Sequence, residues 1–65
     1  MLTQREIAVL KLRKKGLTQV QVAKTLGISQ AAVSKFEQNA LAKIRAAKAT
    51  LTTAKELGVE VKDDA

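Results

Sequence analysis

Two helix-forming segments meet across Leu26-Gly27-Ile28-Ser29, and this junction restricts the fold more than any other stretch of the chain. Helices that cross steeply through a three-residue turn need a residue tolerant of positive φ, and Gly27 stands at that point. They also need a small residue where the backbones approach, which Ala23 supplies. Ile28 is placed to plug the gap between the helices, and Val33 and Phe36 to close a core from the second one. Ser29 can cap that second helix with its hydroxyl. A helical pair of purely structural purpose can carry the same turn, so the junction alone specifies a shape.

The flanking residues extend the helical reading. Thr3 followed by Glu6, and Thr18 followed by Gln21, have capping-box spacing, in which each side chain satisfies a backbone N–H of the first turn. A first helix is therefore expected from Thr3, with Ile7, Val9, Leu10 and Leu12 on an apolar arc. It ends in Arg13, Lys14 and Lys15, where the helix dipole favours cations, with Gly16 at the C-cap. A second helix is expected from about Gln19 to Leu26, with Val22, Ala23 and Leu26 turned inward. From Gln30 onward there is no glycine until Gly58 and no proline anywhere, so one long helix, straight or kinked, follows. The fold class is all-α: a helix-turn-helix whose second helix extends into a long C-terminal helix.

Charge gives this shape a partner. The 65 residues hold 12 basic and 6 acidic side chains, a formal charge of +6. Residues 1–55 carry 11 basic against 2 acidic groups, a net +9, while residues 56–65 carry 1 against 4, a net −3. A basic body with an acidic end is the electrostatic footprint of a polyanion binder. Phe36 is the only aromatic residue, which argues against stacking unpaired bases and favours duplex.

Other chemistries are poorly served. With no Cys and no His, thiolate or imidazole metal sites, disulfides and the corresponding nucleophiles are excluded. The two acids of the basic body, Glu6 and Glu37, are accounted for by helix capping and by solvent. No catalytic residue, metal site or cofactor is assigned, and the chain is not read as an enzyme. No apolar run approaches the length of a bilayer span, and Met1 to Glu6 lacks the apolar core of a signal peptide. A cytoplasmic protein with no membrane partner is expected.

With Val33 and Phe36 in the core, rotation by about 100° per residue orients the rest of the helix. Ala31, Ser34, Lys35 and Gln38 fall on the opposite side, with Gln30 at the exposed first turn. That set suits a major groove: glutamine can pair with adenine, the Ala31 methyl can pack on thymine, and Lys35 can reach guanine or a phosphate. A solvated polar face is the plainer account of any one of them. Thr18 and Gln19, at the start of the second helix, are candidates for phosphate, although Thr18 is also explained as a cap. Lys24, Lys43, Arg45 and Lys48 are further phosphate candidates.

Beyond Gln38 the pattern becomes less generic. Phe36, Ala40, Ile44, Ala47, Leu51 and Ala54 recur at three- and four-residue steps, so one apolar stripe runs nearly to Gly58. Its later part exceeds the reach of so small a core, which makes Ile44, Ala47, Leu51 and Ala54 a candidate homodimer contact; packing against a downstream domain competes. Val59 and Val61, alternating with Glu60 and Lys62, could begin a strand. The resulting organisation is residues 1–47 as the helix-turn-helix domain, 48–58 as a helical extension, and 59–65 as an acidic tail or the start of a further domain.

A family resemblance rests on specific residues. Leu2-Thr3-Gln4-Arg5-Glu6, Val9-Leu10-Lys11-Leu12-Arg13, Gly16-Leu17-Thr18-Gln19, Val22-Ala23, Leu26-Gly27-Ile28-Ser29, Val33-Ser34-Lys35 and Ala40-Leu41-Ala42-Lys43-Ile44 resemble the N-terminal domain of Tfx-type archaeal transcriptional regulators. The resemblance continues through Thr50-Leu51 and Ala54-Lys55-Glu56-Leu57-Gly58. The first forty-odd residues are equally similar to DNA-reading domains of the LuxR type and of sigma factors. Proteins of the archaeal group are longer than this chain, which implies either a C-terminal domain beyond it or a shortened relative. The resemblance implies sequence-specific binding near promoters, with base contacts at Gln30, Ala31, Ser34, Lys35 and Gln38. The alternative is a protein-interaction module that docks on the transcription machinery.

Overall fold

The computed structural model describes residues 1–59 and contains three helices: α1 (Gln4–Lys14), α2 (Gln19–Leu26) and α3 (Gln30–Glu56). Each begins where a side-chain oxygen takes up a free backbone donor. The Thr3 hydroxyl accepts from the Glu6 N–H at 3.2 Å while Glu6 Oε1 accepts from the Thr3 N–H at 2.8 Å. Thr18 and Gln21 repeat the exchange at the start of α2, and Ser29 accepts from the Ala32 N–H at 3.0 Å. All three caps hold the extended backbone that sends the chain into a helix from outside.

The helix ends use one device. After α1 the cap residue is Lys15, and Gly16 follows it with φ +97°. The Leu17 N–H then folds back to the Leu12 carbonyl. Gly27 turns left-handed after α2, at φ +68°, and the Ile28 N–H reaches the Ala23 carbonyl at 3.0 Å. In both places the bond spanning five positions closes a Schellman motif and delivers an apolar residue, Leu17 or Ile28, back onto the helix it has just left. Both then pack on the core, as the gap-filling role of Ile28 requires.

That core is small. Val9, Val22, Ala23 and Val33 are buried, with Leu12, Leu17, Leu26, Ile28 and Phe36 packed around them, and Ala40 is fully covered. The apolar arc of α1 is narrower than its pattern suggests: Val9 is enclosed, Leu10 and Leu12 are half-buried, and Ile7 is exposed. Ile7 lies on the outer edge of the arc and stays 37% exposed.

Helices α1 and α3 run antiparallel. Glu6 near the start of α1 meets Lys43, and Arg13 near its end meets Glu37. Because α1 starts at Gln4, it runs out opposite Lys43, whose ammonium also donates to the Met1 carbonyl. The remaining turns of α3 project beyond the body, and the molecule measures 45 × 21 × 18 Å. Twenty-seven residues at about 1.5 Å each account for most of that long dimension. The projecting part stays helical because it is alanine-rich and lacks breakers. Thr50, Thr52 and Thr53 turn their hydroxyls back to carbonyls four residues earlier, at 3.0–3.1 Å. Among the described residues no helix is long and apolar enough to cross a membrane. Val59 has no regular secondary structure, and the rest of the strand reading, Glu60 to Lys62, lies outside the described residues.

Candidate nucleic-acid interface

The first turns of α3 present the expected face. Val33 is fully buried and Phe36 and Ala40 continue its side of the helix, so Ala31, Lys35 and Gln38 are left exposed on the other side. Gln30 is exposed at the first helical position and Ser34 is half-buried on the flank. The anchoring side is held by Val33 and Phe36 packed in the core and by the covered Ala40. The open side therefore keeps a fixed orientation relative to α1 and α2, which a groove-reading surface requires.

The phosphate candidates divide. Lys24, Arg45 and Lys48 are exposed, and Arg45 Nε leans on the Leu41 carbonyl at 3.4 Å. The Thr18 hydroxyl is engaged as the cap of α2, and Gln19 Nε2 donates to Glu37 Oε2 at 3.2 Å. Lys43 lies apart from all of these, on the flank of α3 that faces α1, with its ammonium 2.8 Å from Glu6 Oε1. Helical geometry explains this, since Lys43 stands eight residues beyond Lys35 and so about 80° further round the axis.

Glu6 is 3% exposed although Lys43 is open to solvent, so the pair sits at the rim of the body. The hydrogen bond from Lys43 holds the Glu6 carboxyl below its ordinary pKa, helped by the Thr3 backbone N–H. The side-chain spacing of residues 3 and 6 revealed the cap; nothing local in sequence revealed the lysine 37 positions away. Glu37 and Arg13 were also hidden. Arg13 Nε lies 3.3 Å from Glu37 Oε2, and Arg13 Nη1 donates to the Leu17 carbonyl at 2.9 Å. The available signal was a lone acid in the first turns of α3 in a basic body.

Residues 1–55 match the family model described as bacterial regulatory proteins of the luxR family. The chain belongs to that family. Its luxR-type domain is thus a helix-turn-helix of DNA-binding transcriptional regulators. Relatives come from archaea, in keeping with the residues that resemble archaeal regulators. A protein of Methanocaldococcus jannaschii is 52% identical over 50 residues, 77% of this chain and 36% of its own length. One of Thermococcus kodakarensis is also 52% identical over 50 residues, covering 33% of its length. One of Pyrococcus furiosus is 43% identical over 60 residues, 92% of this chain and 42% of its own. The names of all three place them among transcriptional regulatory proteins. The luxR-type chain described here spans about a third to two-fifths of the length of these curated relatives. No solved structure matches it.

Proposed function

We propose that this domain binds duplex DNA sequence-specifically and regulates transcription, laying the first turns of α3 in the major groove. The observation that carries the reading is the exposed set Gln30, Ala31, Lys35 and Gln38, with Ser34 on its flank, backed by the buried Val33 and Ala40 of the same helix. Glutamines and a lysine at that place read base edges. Thr18, Gln19, Lys24, Arg45 and Lys48 meet the backbone; Lys43 is omitted because Glu6 already holds it.

The domain acts as a homodimer. Leu41, Ile44 and Leu51 remain 42%, 36% and 48% exposed on turns that continue the reading helix, and Ala47 and Ala54 let a second helix approach closely. One continuous α3 would then set the distance between two reading heads. Residues 48–58 serve the pairing and 1–47 the reading, with no break in the helix between them.

A mobility shift on duplexes selected from a random-sequence pool tests the reading. Affinity should fall steeply with salt, by a log–log slope of about −0.9 for each phosphate neutralised. Lys35→Ala and Gln38→Ala should each weaken the selected duplex about tenfold, the scale of one lost base contact, and leave the melting temperature unchanged. If no duplex is retained at low salt, the reading fails and the exposed apolar turns of α3 instead favour docking on a protein of the transcription machinery.

A further inference from the structure

Glu37 is an acid in an unexpected place. It stands on α3 between Ser34 and Gln38 in sequence, beside the face assigned to base reading, and a solvated carboxylate there would repel DNA. Its side chain is instead only 19% exposed. Each of the other two helices sends one donor to it: Gln19 Nε2 from the start of α2 at 3.2 Å, and Arg13 Nε from the end of α1 at 3.3 Å. Arg13 also donates to the Leu17 carbonyl, so the same guanidinium ties the α1–α2 connection to α3. No other side chain among the described residues links all three helices through polar contacts.

We infer that Glu37 is a positioning residue for DNA binding: it holds Gln19 at a fixed distance from the base-reading residues of α3. This rests on the DNA-binding reading above. Phosphate and base contacts must be satisfied by one rigid docking of the domain, so the offset between Gln19 and Lys35 or Gln38 decides whether both can form at once. The amide of Gln19 keeps one N–H free after donating to Glu37, and Glu37 determines where that donor points. Arg13 supplies the countercharge that lets the carboxylate remain beside the polyanion.

Charge and position make opposite forecasts, which gives the test. Duplex affinity is measured on the chain for Glu37→Ala and Glu37→Gln, each with and without Gln19→Ala, using a duplex selected by the unaltered chain. Both Glu37 substitutions remove one negative charge, but glutamine keeps an oxygen that can accept from Gln19. Positioning requires Glu37→Ala to bind about fivefold more weakly than Glu37→Gln, the scale of a hydrogen bond between neutral groups. It also requires Gln19→Ala to weaken the unaltered and Glu37→Gln chains while adding nothing to Glu37→Ala. Equal or tighter binding by Glu37→Ala, or the same loss from Gln19→Ala in every background, overturns the inference. Should Glu37→Ala melt below the assay temperature, Glu37→Asp repeats the comparison at constant charge with the carboxylate drawn back: weaker binding than the unaltered chain supports positioning and equal binding overturns it. If the unaltered chain retains no duplex, the functional reading falls and this inference falls with it; if it binds and the losses are additive, only the inference falls.

Discussion

The two halves of α3 carry the same apolar stripe to opposite outcomes. Up to Ala40 the stripe builds a core: Val33 and Ala40 are fully buried and Phe36 is half-buried. Beyond Lys43 the pattern continues through Ile44, Ala47, Leu51 and Ala54 with no change of period, yet Ile44 and Leu51 stay open to solvent and only Ala54 is half-covered. Periodicity states which face of a helix would be buried, whereas burial needs a second surface. The first half has α1 and α2 against it. Among the described residues the second half has none, because α1 begins at Gln4 and is antiparallel to α3.

Truncating one apolar side chain in each half should break or sharpen that contrast most directly. Val33→Ala leaves a cavity in a fully enclosed position and should cost about 2 kcal/mol, lowering the melting temperature by about 10 °C in a domain of this size. Leu51→Ala, measured in dilute solution, should cost no more than about 0.5 kcal/mol. Equal losses would mean that the projecting half is packed after all.

The next effect belongs to the turn that brings the first half onto its core. No atom lies within 4 Å of a Cβ built on Gly27, so Gly27→Val should destabilise through its left-handed φ alone, by about 1–3 kcal/mol. Gly27→Asn should recover much of the loss, because asparagine tolerates that conformation. Comparable melts for the two variants would remove strain as the explanation.

Glu6 and Lys43 mark the border between the halves, and their contribution should depend on acid. The Glu6 pKa is lowered in the folded chain, so its stabilisation is fully present above the ordinary carboxylate range and is lost as pH falls through the depressed value. Melting curves of the unaltered chain and Glu6→Gln should therefore differ near neutrality and converge in strong acid. A difference that persists at the lowest pH would show that capping, which the glutamine amide oxygen can imitate, is not the shared feature.

Leu51→Glu should have the smallest effect on the fold, with helix content nearly unchanged, since Leu51 touches no core. Its effect on assembly is the informative quantity. Sedimentation should shift from dimer to monomer, and an unchanged sedimentation coefficient would remove the pairing assigned to the second half.

Much of this domain was legible from local pattern. The three caps, the left-handed turn at Gly27, the start of α3 after Ser29 and the exposure of Gln30, Ala31, Lys35 and Gln38 all follow from side chains close to one another in the chain. The surroundings of the phosphate candidates were legible only in part, for the same reason. Lys43 has the composition of a DNA contact, and only the approach of α1 gives it to Glu6. Gln19 was legible as the start of α2, while its bond to Glu37 spans 18 positions and joins two helices whose angle no spacing rule contains.

The amino-acid sequence alone therefore determined the elements, their ends and the face each would turn inward, because caps, propensity and helical period are short-range. The tertiary structure decided which apolar turns find a partner, why α1 leaves the far half of α3 uncovered, and that the two lone acids of a basic body serve as ties between helices. Those outcomes depend on distances between residues far apart in the chain, and such distances exist only once the helices have packed.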